Sequence, residues 1–305
     1  MWDSGNFVSM ETTHLLIDPA DTDPRQMYAY LTGTIGPRPI AFASTVDAEG
    51  APNLAPFSYF NMFSSRPPVL IFSPNLSGRT GAKKDTLRNV EASGEVVINL
   101  VNHALVEQQN IASCEYPQGV NEFAKAGLTP VPSVRVRPAR VAESPVQFEC
   151  KVRQVVSLGD QGGAGNLVVC DVLLIHLRKD VLNAQGMPDP HKLDLVARMG
   201  ADWYCRAQGT ALFEVEKAAD KTDIVGIDAL PEAVRYSSLT GNELGQLANR
   251  RSLPDASALA TYAAQHAAQL DSHGSVEAAV PAAKALLAQG QCEAALMLLL
   301  AVAGR

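Results

Sequence analysis

Cysteine is scarce in this chain and poorly placed for chemistry. The five cysteines, at 114, 150, 170, 205 and 292, include no Cys-x-x-Cys pair. That spacing excludes the common zinc sites and the dithiol redox motif, and an odd number of scattered thiols suits a reducing compartment. Positive charge is also short: 25 Lys and Arg stand against 32 Asp and Glu, for a net charge of −7. Nucleic-acid binding would need a basic patch or stripe, and basic residues gather only around 79–88. The six histidines, at 14, 103, 176, 191, 266 and 273, form no pair with helical metal-ligand spacing. There is no Gly-x-Ser-x-Gly elbow and no Gly-Lys-Ser/Thr phosphate loop. The longest late apolar run, 294–303, is too short to cross a bilayer. The opening Met-Trp-Asp-Ser-Gly-Asn has no basic start and no apolar run, so no signal peptide is expected. These absences lead us to expect a cytoplasmic protein with no bound metal, no nucleic acid and no membrane partner.

What is present is an ordinary globular composition, 47% hydrophobic and 19% charged, over 305 residues. That length holds one large domain or two modest ones. Composition shifts after about residue 211, where the strand vocabulary thins and alanine, leucine and glutamine take over. We expect a domain over 15–210, then a connector and α-helical extension over 211–305. The extension should hold two or three helices from 256 on, broken near 271–274 and 289–291. The stretch 220–255 reads as irregular, and residues 1–14 as a loose arm.

In the first domain, Asp23 and Pro24 announce a helix over 23–31 as N-cap and first helical residue. Strands are expected over 40–46, 53–60 and 69–72, with a turn at 47–50. Pro56 cannot donate to a ladder, which assigns its strand to an edge or bulge. A helix over 85–92 would be capped by Asp85 and stopped by Gly94. A strand at 96–101, helices at 105–112 and 121–126, and long strands at 146–157 and 167–177 follow. The last two are joined by a glycine-rich loop, 159–166, and a final helix is expected over 190–200. Many antiparallel strands with few intervening helices predict a mainly β fold with α, a closed or split β-barrel.

The chemistry concentrates between residues 33 and 89. Lys83 and Lys84 precede Asp85 and Thr86 at a helix start, where free N–H groups and the dipole favour an anion. Ser73 and Arg79 lie close in sequence. Taken alone, this segment reads rather as a solvated basic loop before a capped helix. Asn53, Leu54, Ala55, Pro56, Phe57 and Ser58 alternate small and large groups on an irregular strand. Backbone groups with Asn53 and Ser58 could meet the polar edge of a flat ring, and Ala55 leaves room for close approach; a ligand-free edge strand reads equally well. Together the two features suit a phosphorylated planar cofactor, FMN best. The loop 159–166 joins two strands and lacks Gly-x-Gly-x-x-Gly, so it reads as a flexible hairpin rather than a dinucleotide site. His176, in an apolar strand, reads as a core residue. His191, in a polar turn beside Arg198 and Tyr204, is the histidine best placed to contact a ligand or substrate.

Seven stretches in order, 33–45, 53–68, 84–89, 96–102, 143–150, 159–170 and 189–206, resemble the flavin reductase-like, FMN-binding split-barrel family, in particular its flavoredoxin-type branch. The resemblance covers about residues 20–208. It implies a homodimer of split barrels with FMN near the subunit interface. It also implies that residues 53–58 line the isoalloxazine and that Ser73, Lys84, Asp85 and Thr86 hold the phosphate end. Arg38, Ser64, Asn99 and Asn102 would lie nearby, and His191, Arg198, Trp203 and Tyr204 would approach from the partner subunit. The activity implied is NAD(P)H-dependent flavin reduction, hydride passing from NADH or NADPH to flavin N5 and electrons onward to a small-molecule acceptor. The flavin carries that reaction while the protein positions and tunes it. Backbone N–H groups or Ser58 near the pyrimidine edge are expected to stabilise the reduced flavin electrostatically. An alternative is an FMN-binding electron carrier or sensor without its own turnover. The helical tail would then dock a protein partner, although an apolar stripe such as 296–300 more often packs on its own domain or extends a dimer interface.

Overall fold

The computed structural model describes residues 14–218 and 223–304. The arm expected over 1–14 lies outside these residues except for His14, as do residues 220–222 of the connector. The chain divides into two compact units, Met1–Leu212 and Phe213–Arg305.

In the first unit, α1 (Pro24–Thr34) starts where the Asp23 carboxylate accepts the N–H groups of Arg25 and Gln26. Strands β1 (Ala41–Val46) and β2 (Pro52–Phe57) form a hairpin turned at Gly50, whose φ of 89° suits glycine. The next hairpin, β3 (Phe60–Ser65) with β4 (Pro68–Phe72), corrects the expectation of one strand running through residue 60. Ser58 and Tyr59 form a bend that ends one strand before the other begins. β3 was hidden because Met62 and Phe63 are both exposed on it, which spoils the alternation that marks a half-buried strand.

Helix α2 (Asp85–Ser93) is capped one residue earlier than expected: Lys84 is the N-cap, and Asp85 is the first helical residue. The Asp85 carboxylate is drawn to Arg88, one turn along, so it does not cap the backbone. Gly94 closes α2 in the left-handed region, as expected. There follow β5 (Glu95–Leu100), α3 (Val106–Ile111), α4 (Glu122–Ala126), the short pair β6 (Pro130–Val131) and β7 (Arg140–Val141), and the long hairpin β8 (Val146–Ser157) and β9 (Asn166–Leu177). The helix expected over 190–200 is only α5 (Pro190–Leu193). Asp194 turns left-handed and its carboxylate holds Arg206 at 2.7 and 2.8 Å. The chain then continues as β10 (Val196–Arg198) against β11 (Tyr204–Arg206).

Seven strands form one antiparallel sheet in the order β2-β1-β5-β8-β9-β4-β3. Both edges, β2 and β3, are consecutive in the chain, the arrangement of a barrel left split between them. β1 is buried on both faces. Ala41 and Ala43 join Phe72, Leu87 and Ile98 in one cluster, while Ile40 and Phe42 join Leu54, Leu105 and Phe123 in another. Opposite side-chain directions along a strand make both possible.

The second unit holds α6 (Glu232–Arg235), α7 (Gly241–Ala248), α8 (Ala256–Gln265), α9 (Ala267–Asp271), α10 (Val276–Ala288) and α11 (Cys292–Ala303). Two of these helices lie in the stretch expected to be irregular. Thr240 and Glu243 form a reciprocal capping box that starts α7 and corrects the expectation of an irregular stretch there. From 256 on there are four helices instead of two or three, because the chain also breaks at His266. The breaks at 271–274 and 289–291 stand where expected, with Gly274 and Gly290 at positive φ.

Candidate functional site

The start of α2 is fixed against the edge of the barrel by a buried amide–hydroxyl network. Asn53 Nδ2 donates to Thr45 Oγ1 at 3.0 Å and to Thr86 Oγ1 at 2.9 Å, and Asn89 Nδ2 donates to Thr45 Oγ1 at 3.1 Å. These bonds join β1, β2 and α2. Polar groups buried this deeply must be paired, so the network holds α2 in one place.

In front of it lies a cavity of about 250 Å³. One wall is the β2 edge, with Asn53, Ala55, Pro56 and Phe57; a second is the loop and first turn of α2, with Ser77, Thr80, Lys83, Lys84, Asp85, Thr86 and Arg88. Cys114, Glu115, Tyr116 and Glu122 complete it. The Leu54 N–H points away from β1 and donates to Glu122 Oε2 at 3.0 Å. Alternate residues of an antiparallel ladder face the same way, so Pro56 also faces the free edge, where its missing N–H costs nothing.

Most cations around the cavity are already paired. Lys83 bonds Glu91 at 2.7 Å, Arg79 bonds Glu115 at 2.9 Å, and Arg88 holds Asp85 and the Lys83 carbonyl. Lys84 differs: it is a half-buried residue whose ammonium has no carboxylate partner among the described residues, and no side chain caps the helix it begins. Burial pushes the Glu122 carboxyl above its ordinary range, the Leu54 N–H offsets part of that rise, and Asp85 adds to it.

The structure thus brings together seven of the sequence-predicted residues: Asn53, Ala55, Pro56, Phe57, Lys84, Asp85 and Thr86. The others lie elsewhere. Leu54 is fully buried in the core, and Ser58 sits half-buried in the bend after β2. Ser73 accepts the Asn166 N–H at 2.9 Å and does not line the cavity. Arg38 donates to the carbonyls of Thr32, Ile35 and Met199, tying the end of α1 to the chain after β10. Asn99 bridges the Phe42 carbonyl and the Val141 N–H, each at 2.9 Å. Asn102 is buried beside the bridge to Leu195, and its Oδ1 has no partner. His191 is exposed on α5, its backbone N–H held by Asp189. Arg198 lies over the Tyr204 ring at 4.7 Å. No group of metal-ligating side chains exists among the described residues, and none of their helices is long and apolar enough to cross a membrane.

Sequence reasoning missed Glu122, Tyr116 and Cys114. Their segment reaches the cavity only through the fold. The one local signal was Asn121, which caps α4 by accepting the N–H groups of Phe123 and Ala124 and so fixes Glu122 at the helix start.

The fold is thus a split barrel with a cation-bearing cavity at its edge. Residues 35–191, about half the chain, match the flavin reductase like domain, and the chain belongs to that family. An uncharacterized protein of Aquifex aeolicus is 36% identical over 196 residues, 64% of this chain and 97% of its own length. Nitrilotriacetate monooxygenase component B from Bacillus cereus superposes with a TM-score of 0.62 at 30% identity, over 66% of this chain and 98% of that one. A split-barrel protein from Shewanella frigidimarina shares the fold, with a TM-score of 0.55 at 22% identity over 65% and 95% of the two chains.

Proposed function

We propose that the protein binds FMN in this cavity and acts as an NAD(P)H-dependent flavin reductase. The observation that carries the reading is Lys84: a half-buried lysine with no carboxylate partner among the described residues, at the uncapped start of α2, in a wall shared with the β2 edge. The residues present fit the cofactor. The ammonium, the first-turn N–H groups of α2 and the Thr86 hydroxyl are donors suited to a phosphate. Asn53, Ala55, Pro56 and Phe57 offer a polar–apolar surface suited to a flat heterocycle. When bound, FMN would supply the redox chemistry, hydride acceptance from a reduced nicotinamide and electron transfer to a small-molecule acceptor.

The chain's own part is placement. Lys84 balances the phosphate charge, and the Asn53–Thr45–Asn89 network keeps α2 from shifting. Phe57 and Pro56 shield the ring from water, and Ser58, at the end of the same edge, is the hydroxyl offered to the pyrimidine side. His191, exposed on α5, is the group offered to an incoming substrate. A homodimer completes the proposal: Met62 and Phe63, 63% and 64% exposed on edge strand β3, give a second copy an apolar surface to cover.

The helical unit, which lies beyond the matched residues 35–191, favours a second reading: an FMN carrier or sensor that docks a protein partner through those helices. Anaerobic addition of NADH, then NADPH, to the FMN-loaded protein separates the two. Bleaching of the flavin bands supports the reductase and names its donor. Bands that persist with both donors refute it and favour the carrier.

A further inference from the structure

The glycine-rich loop between β8 and β9 does more than join two strands. A hairpin needs as few as two residues at its tip, yet this loop is fastened along a distant segment, residues 73–76. The Asn166 N–H donates to Ser73 Oγ at 2.9 Å and Asn166 Nδ2 to the Pro74 carbonyl at 3.1 Å. The Ser73 hydroxyl donates to Asn75 Oδ1 at 3.2 Å, and Asn75 Nδ2 donates to the Gly163 carbonyl at 3.0 Å. Backbone bonds complete the zip: Leu76 N–H to the Ala164 carbonyl at 2.9 Å, and Gly163 N–H to the Leu76 carbonyl at 3.0 Å.

The glycines fit this contact. A Cβ on Gly165 would stand 2.9 Å from Ser73 Oγ, and one on Gly162 would stand 3.1 Å from the Ser77 carbonyl oxygen. Gly163 has a φ of 89°, which a side chain would strain. Ser73 and Asn166 are only 6% and 4% exposed, so their bonds are shielded from water. Beyond the zip, the Ser77 N–H meets the Ala82 carbonyl at 2.9 Å and the Gly81 N–H meets the Ser77 carbonyl at 2.8 Å. That closed turn presents Ser77, Thr80, Ala82 and Lys83 to the cavity and delivers the chain to Lys84.

We infer that the 159–166 loop is the mould for the phosphate end of the site, and that Ser73, Gly165 and Asn166 are positioning residues that act through Lys84 and the start of α2. This rests on the FMN reading above. None of the three lines the cavity. Their effect is to fix where a charge-assisted donor set stands, and such a set loses strength when displaced by fractions of an ångström.

The test uses the full chain titrated with FMN and with riboflavin, which shares the ring and ribityl chain but lacks the phosphate. Wild type should prefer FMN. Asn166→Ala, Gly165→Ala and Ser73→Ala should each weaken FMN binding about tenfold while riboflavin binding stays within about twofold. Equal losses for both ligands, or unchanged FMN affinity, would overturn the inference. Should the first two variants fail to fold, Ser73→Ala, which removes one hydroxyl, decides alone. A wild-type protein with no preference for FMN refutes the phosphate reading of the cavity itself, before any variant is made.

Discussion

The barrel and the helical unit fill their interiors with different chemistry. Among the described residues, every buried polar or charged side chain, from Thr32 through Asn53, Thr86, Asn99 and Glu149 to Asn166, belongs to the first unit. The buried cluster of the second unit is leucine, valine and alanine throughout, with Leu296, Leu298 and Leu299 at its centre. Apolar packing is tolerant of shape and says little about direction. Buried hydrogen bonds are directional and costly when unmade, so they fix the atoms that hold them. The unit proposed to hold a ligand in register is the one that carries them.

The largest effect should come from breaking the polar interior. Glu149 is fully buried, accepts the Val134 N–H at 2.9 Å and the Arg135 N–H, and bonds His176 Nε2 at 2.5 Å. Burial pushes its carboxyl up, but the two N–H groups and His176 more than offset this and leave it below the ordinary range. Its contribution to stability is therefore complete above the ordinary carboxylate range and is lost as the pH falls through its lowered folded value. Glu149→Ala should cost about 4 kcal/mol at neutral pH by leaving donors unpaired, with a smaller acid loss than wild type. Urea unfolding across pH 3 to pH 7, a range spanning the ordinary carboxylate value, measures both; a variant as stable as wild type at neutral pH would remove the directional argument.

Next is the apolar interior. Leu296→Ala in α11 should destabilise the helical unit by about 3 kcal/mol through the lost burial and the cavity left behind. FMN affinity should not change, and a coupled loss of flavin binding would show that the two interiors do not divide the work. The smallest free-energy change should come at the site. Lys84→Ala should weaken FMN binding about thirtyfold, close to 2 kcal/mol, while thermal stability stays at the wild-type value. An unchanged affinity would mean that the unpaired ammonium serves no anion.

This division also explains what could be read from the sequence. The strands of the barrel announce themselves because residues such as those of β1 are buried on both faces and read as runs rich in apolar and β-branched residues. Asp23, Gly94 and Asn121 mark element ends by local geometry, and Pro56 marked the edge strand for the same reason. The cavity was legible where its residues are close in sequence, from Asn53 to Phe57 and from Lys84 to Thr86. Glu122 and Tyr116 were not, since only long-range packing carries them to β2. Arg38, Asn99 and Ser73 carry the polar residue types of a ligand site, but the terminal guanidinium nitrogens of Arg38, the Asn99 amide and the Ser73 hydroxyl are bonded to groups of the protein itself, and none of the three lines the cavity. Sequence alone does not separate a polar group held for a ligand from one held for the fold. β3 failed for a different reason, its apolar residues facing outward on an edge.

The central claim, a flavin held at the barrel edge by the start of α2, is tested most directly by the absorption spectrum of the purified full chain after gel filtration with added FMN. The account predicts flavin bands that travel with the protein in wild type and are depleted in Lys84→Ala. A colourless wild-type protein that takes up no FMN would contradict it.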